Sequence, residues 1–273
     1  MDISGNALVV GGGTQEFERL PRQLLTSTVV DGSLPTIMHS PECGGRRRRR
    51  VQCRGDRFRA EAIQVDITKL DSVRDLVSRM MQIFGRMDYC VNSAGIGVQH
   101  ATDIASMSLD VFQRFLDINT VGMFLVTREV SVAMRTQEAR AVSATSPGRG
   151  TTRGSVINLG SGSSLITTPD VLPYTTPKHA ALGLSKNSAL DNASYGIRVN
   201  GVCPSWTDTP MVQKATSGVE GLEDFMKAAV PIARIAMPEE VADAVVFLCS
   251  PRSSYVTGCS FIVDGGTTLT ALR

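Results

Sequence analysis

The sequence predicts an α/β chain in which a parallel sheet is covered by helices. Three observations predict it. Short apolar runs bounded by turn residues recur along the 273 residues. Segments with apolar residues at helical spacing separate them. The runs are apolar at consecutive positions, as strands buried on both faces are. The length suits one large domain over 1–273, and no internal repeat divides it.

Taken in order, "ALVV" (7–10) reads as the first strand and "EAIQVDI" (61–67) as a later one. "MDYCVNSAG" (87–95), "GSVINLGS" (154–161), "IRVNGVCP" (197–204) and "GCSFIVDGG" (258–266) follow. Between them, 69–85 repeats Leu70, Val73, Leu76, Val77, Met80 and Ile83 at helical spacing, and 109–135 does so over a longer span. Two regions break the rhythm. Residues 12–60 have weak periodicity, Pro21, Pro35, Pro41 and an arginine run, while 138–153 is small, polar and reads as an exposed loop.

Composition narrows the function. With 42% hydrophobic and 20% charged residues, a sizeable buried core is expected. No window reaches the ~18 apolar residues of a membrane span, and the N-terminus lacks the build of a secretory signal. The six cysteines are scattered without metal-ligand spacing, which points to a reduced, cytoplasmic protein with no metal site. Three of them, in apolar stretches, read as small core residues. Residues 1–60 hold ten arginines, no lysine and six acids, a local charge of +4. Arg46 to Arg50 are consecutive. They suit a solvated loop, a clamp for a 2′-phosphate, or a nucleic-acid patch; the 5% aromatic content does not interleave with them, which disfavours nucleic acid.

The chemistry concentrates in 161–178. Tyr174 and Lys178 stand four apart at the start of a helical pattern, so both can share one face. Ser161 ends the preceding strand. A free phenol titrates near ~10, and an ammonium held nearby favours the phenolate. That suits a general acid/base, with a serine hydroxyl to hold a substrate oxygen beside it.

This arrangement closely resembles the short-chain dehydrogenase/reductase family, at ordered positions over 61–266. "VNSAG" (91–95) is similar to that family's Asn-Asn-Ala-Gly segment, with Ser93 in place of the second asparagine. "DINTVG" supplies Asn119, which matches the asparagine that bends its helix and supports a water relay. Ser161, Tyr174 and Lys178 match the other members of the catalytic tetrad. "VCPSWTDTPM" resembles the segment after the sixth strand, with Ser205 in place of glycine. The resemblance implies a Rossmann-like, doubly wound sheet of about seven parallel strands. It implies hydride transfer between a nicotinamide and a carbonyl or alcohol carbon, with Tyr174 exchanging the proton. Ser161 would fix the oxygen, Lys178 would favour the phenolate and bond the nicotinamide ribose, and Asn119 would order the relay. Gly11, Gly13, Asp66, Asn92, Ala94, Gly95, Pro204 and Thr209 become the expected cofactor contacts, together with Tyr174 and Lys178.

The chain departs from the family at its first loop. On Thr-Gly-x-x-x-Gly-x-Gly, the threonine falls on Val10 and the later glycines on Gln15 and Phe17. Those glycines allow close approach of the backbone to a pyrophosphate. The second strand has two registers. "DGSLPTIMHS" (31–40), ending at His39, has no acid for a ribose 2′-hydroxyl and favours NADP(H). "STVVD" makes Asp31 the ribose ligand and favours NAD(H). The first is preferred. Three readings follow: an altered turn that still binds NADP(H), a cofactor-free acid/base enzyme such as an isomerase, dehydratase or cyclase, or an altered reading frame over 12–60 with a weakened or partner-binding role.

Residues 205–238 would form the family's substrate lid, where Trp206, Met211, Val212, Phe225 and Met226 suit a bulky apolar small molecule or pack a lid helix. Ser163, Leu165, Val171 and Leu172 would line the same pocket. His179, on another helix face from Lys178, reads as structural. The two long helices suit a homodimer or homotetramer interface, as in the family.

Overall fold

A computed structural model describes residues 6–11, 29–31, 61–98, 100–217 and 219–270. Seven strands form one sheet: β1 (Ala7–Gly11), β2 (Val29–Asp31), β3 (Ala62–Gln64), β4 (Tyr89–Asn92), β5 (Gly154–Leu159), β6 (Ile197–Pro204) and β7 (Ser260–Val263). Their order is β3-β2-β1-β4-β5-β6-β7, and every pairing is parallel. Strand order reverses between β1 and β4, which opens a crevice at their carboxyl ends. The architecture is the Rossmann-like one the sequence predicts.

Alternation along the strands explains the helices on both faces. Leu8, Val10, Cys90, Val156 and Val199 point to one side, where they join a core with α1 (Leu70–Phe84), α3 (Met123–Thr136) and α4 (Leu172–Ala193). Val9, Val91, Ile157 and Val202 point to the other side, against Val245, Val246 and Leu248 of α7 (Pro238–Cys249). A strand covered on both faces cannot alternate polar and apolar residues, which is why each reads as a continuous apolar run. Helix α1 buries Val73, Leu76, Val77 and Met80 and stops at Gly85, whose φ of 74° suits glycine.

The long helical pattern at 109–135 resolves into α2 (Leu109–Leu116), a π-helical turn (Asp117–Gly122) and α3. Two short helices, α5 (Pro210–Thr216) and α6 (Leu222–Ala229), lie between β6 and α7. Residues 138–153 are mostly exposed and carry a small antiparallel ribbon, Arg140–Ala141 with Thr151–Thr152. Cys90, Cys203 and Cys249 are buried free thiols, as their apolar surroundings suggest.

The second strand corrects the preferred register. It is Val29–Asp31, pairing Val9 with Val29 and Gly11 with Asp31, so the strand reading of 31–40 falls. Three β-branched or acidic residues ending at the crevice fit between β1 and β3, and the pairing of Val29–Asp31 with both, not Pro35 at the start of the rejected strand, decides the register. His39 and Gly13 lie outside the described residues, as do Gln15 to Glu18 and Arg46 to Arg50. Among the described residues, no helix is long and apolar enough to cross a membrane.

Candidate active site

The carboxyl ends of β1, β4, β5 and β6 open on a cleft of about 310 Å³. Its polar wall includes Ser93, Ser161, Tyr174, Lys178, Asp208 and Thr209. Val9, Val91, Leu159, Met211, Val241 and Val245 make much of the apolar remainder. Three of the four expected tetrad members therefore meet here.

Each is held by its own local structure. Tyr174 lies in the first turn of α4, and Lys178 follows one turn later on the same face. Lys178 is 6% exposed; its ammonium donates to the Leu159 carbonyl at 3.0 Å and stands 5.5 Å from the centre of the Tyr174 ring. Ser161 caps a short 3-10 turn, Gly162–Ser164. Its hydroxyl accepts from the Ser163 amide at 3.1 Å, and its own amide donates to Ser164 Oγ at 3.1 Å. This reciprocal cap fixes the serine's direction at the end of β5.

Asn119 sits behind the cleft wall in the π-helical turn, 1% exposed. Its Oδ1 accepts from the Ile96 amide at 2.9 Å, and its Nδ2 donates to the Ile96 carbonyl at 3.0 Å. A side chain at Gly95 would crowd this arrangement, because a Cβ would come to 3.0 Å from Asn119 Oδ1 and 3.9 Å from Lys178 Nζ. A π-turn widens a helix by one residue and recurs at functional sites; here it lets Asn119 reach across to the β4 loop.

The other expected residues divide. Pro204, Thr209 and Met211 line the cleft. Ala94 is tied to β1 by donating its amide to the Val10 carbonyl at 2.8 Å, which also receives the Ser93 amide and hydroxyl. Asn92 turns its side chain away, donating to Asn158 Oδ1 at 2.7 Å and Thr127 Oγ1 at 3.2 Å in the core. Contact from Asn92 to a ligand is left to its main chain. Asp66 uses Oδ1 to receive the Thr68 amide and hydroxyl beyond β3. Gly11 ends β1 beside the crevice. Ser163, Leu165 and Trp206 are not among the cleft walls; Trp206 stacks edge-on to Phe225 at 6.3 Å, within the 205–238 segment. His179 is exposed and bonds the Thr175 carbonyl, consistent with a structural place.

Ser93, Ser164 and Asp208 were missed as site residues. A signal for Ser164 existed in the Ser-x-x-Ser spacing of a capping box. Asp208 gave none, since it depends on how the segment after β6 turns. Its Oδ1 accepts from Gln213 Nε2 at 2.7 Å. Behind the site, burial pushes the Cys203 thiol up, while the Ser161 backbone and the Lys178 ammonium pull it the other way. It stays a neutral packing group.

The wall suits a nicotinamide dinucleotide on two counts. Among the described residues the buried Lys178 ammonium has one hydrogen-bond acceptor, Leu159, so further N–H groups remain for an occupant of the cleft. The bare backbone at Gly95 sits where the strand order reverses.

Known proteins carry the same pattern. Residues 43–268 match the family model described as Enoyl-(Acyl carrier protein) reductase. The chain is 56% identical to short-chain dehydrogenase fogB of Aspergillus ruber over 278 aligned positions, covering all of both chains. It is 33% identical to a 2,5-dichloro-2,5-cyclohexadiene-1,4-diol dehydrogenase of Sphingobium indicum, covering 98% of each. Its fold is that of a gluconate 5-dehydrogenase from Burkholderia cenocepacia, solved with NADP and tartrate, at a TM-score of 0.78 and 23% identity over 99% of this chain and 98% of that one. A buried Tyr–Lys–Ser cleft at the strand-order reversal, carried on a chain this similar to named dehydrogenases, makes the protein an NAD(P)-dependent enzyme of the short-chain dehydrogenase/reductase family.

Proposed function

We propose that the enzyme moves a hydride between NAD(H) and a carbonyl or alcohol carbon of a bulky apolar small molecule, with Tyr174 as general acid/base. The observation that carries this reading is the meeting of Ser161, Tyr174 and Lys178 on one wall of an otherwise apolar cleft. Bound there, the dinucleotide supplies or accepts the hydride. Tyr174 Oη gives its proton to the substrate oxygen in reduction and takes it back in oxidation. Ser161 donates its hydroxyl hydrogen to the same oxygen, since the Ser163 amide already occupies one of its lone pairs. The fixed charge of Lys178 stabilises negative charge growing on the phenol oxygen as the proton leaves. Asn119 keeps the loop after β4 in place through both polar atoms of Ile96.

The end of β2 at Asp31 supports NAD(H) over NADP(H), because an acid at that position suits a free ribose 2′-hydroxyl and repels a 2′-phosphate. The dehydrogenase names of the relatives favour redox chemistry over cofactor-free acid/base chemistry. Two or four copies would assemble through the π-turn, α3 and α4, where Val121, Phe124, Val132 and Leu190 are exposed apolar residues.

Tyr174→Phe removes the proton donor and nothing else in the wall. Turnover in that variant is expected to fall by about 10²–10⁴ with the melting temperature nearly unchanged. Turnover within a few-fold of the parent would show that the phenol is not the acid/base.

A further inference from the structure

The lid segment and the loop after β4 meet at Gly97. Met211 begins the second position of α5 and lines the cleft, 43% exposed. Its thioether rests on Gly97: a Cβ built there would stand 2.6 Å from Met211 Sδ and 3.0 Å from its Cγ. No side chain fits at 97 while the methionine keeps this seat. The seat itself cannot move easily, because the preceding residue, Ile96, is held at both its amide and carbonyl by Asn119. The lid segment is anchored at its root. Its root is clipped by Asp208 N to the Ala236 carbonyl at 2.8 Å and Ala236 N to the Trp206 carbonyl at 2.9 Å. The cap of α5 is long, with Val212 N 3.4 Å from Thr209 Oγ1.

We propose that Gly97 and Met211 are the specificity-determining pair of this enzyme. The thioether clasps the lid to the β4 loop beside the Tyr174 wall and so limits the bulk of the carbonyl compound admitted. A flexible, polarizable side chain on a bare backbone makes a contact that an entering apolar group can displace at small cost. This inference rests on the proposed oxidoreductase reading for its substrate and not for its geometry.

Two measurements separate the two. Hydrogen exchange of the 211–217 amides needs neither substrate nor cofactor. In Gly97→Ala and in Met211→Ala, exchange there should rise about fivefold or more over the parent, with α4 and β6 unchanged, as expected for a locally opened segment. Leu165→Ala, outside the cleft walls and away from the clasp, should leave it as it is. The second measurement is the ratio of kcat/KM for 1-decalone to that for cyclohexanone, two ketones that differ by one ring. Met211→Ala should raise that ratio about fivefold, in keeping with the 10–200-fold range over which hydrophobic pockets discriminate.

Unchanged exchange in both variants would overturn the clasp, and an unchanged ratio would overturn its role in specificity. A parent enzyme that turns over neither ketone would also overturn the substrate-size claim. Failure of the oxidoreductase reading would appear elsewhere, as no binding of NADH or NADPH at millimolar concentration, and would leave the exchange result standing.

Discussion

The hydroxyl of Ser161 accepts from the Ser163 amide, and that bond decides what the hydroxyl can still do. With one lone pair committed to an N–H, its hydrogen is the part left to face an oxygen in the cleft. Ser164 Oγ, 3% exposed, completes the arrangement by accepting from the Ser161 amide. Removing it leaves that buried amide without its acceptor, at a cost of about 1–3 kcal/mol shared between stability and aim. Ser164→Ala should therefore lower kcat about fivefold with KM little changed, and Ser161→Ala/Ser164→Ala should be no worse than Ser161→Ala alone. Steady-state kinetics on the three variants checks this; additive losses would make Ser164 a stability residue only. Ser161, Tyr174 and Lys178 were legible because their order and spacing are local to one strand and one helix start. The inward turn of Asn92 was not, because it depends on Thr127 and Asn158, which come from elements distant in sequence.

At the scale of elements, the site depends on a buried polar chain that joins four of them. Asn158 on β5 accepts from Asn92 of β4 and from Thr127 of α3, and donates to Ser185 of α4 at 3.0 Å. Ser185 in turn donates to the Ala181 carbonyl. These bonds fix β5, which carries Ser161, against α4, which carries Tyr174. Asn158→Leu should destabilise the fold by about 2–4 kcal/mol, since it strands polar groups on both neighbours where no water reaches. Denaturant unfolding measures it, and a loss below about 0.5 kcal/mol would mean the network is not coupled to stability. The elements themselves were largely legible: β6 matches the expected 197–204, and α1 lies within 69–85. A three-residue strand such as β2 carries too little pattern to be told from its neighbours, so its register came from pairing with β1. The π-turn at 117–122 was likewise invisible to a periodicity count, although the resemblance implied a bend there.

For the whole molecule, the exposed face that runs from the π-turn into α3 is the feature a single chain leaves unexplained. Val121, Phe124 and Val132 recur at helical spacing, and Phe124 is 47% exposed. Apolar side chains aligned on one helix face are better placed in an interface than in water. Val121→Glu with Phe124→Glu should shift the protein to a smaller species in sedimentation at micromolar concentration; an unchanged mass would place the interface elsewhere. The same scale holds the central claim, because the crevice between β1 and β4 serves a dinucleotide only if the whole sheet edge, from Asp31 to Thr209, acts together. Binding of NADH and of NADPH to the purified chain, followed by calorimetry, tests it most directly. The account predicts micromolar affinity for NADH and at least about tenfold weaker binding of NADPH, a difference of about 1.4 kcal/mol set at the β2 end. Absence of binding by either at millimolar concentration would contradict the oxidoreductase reading, and tighter binding of NADPH would contradict the role given to Asp31.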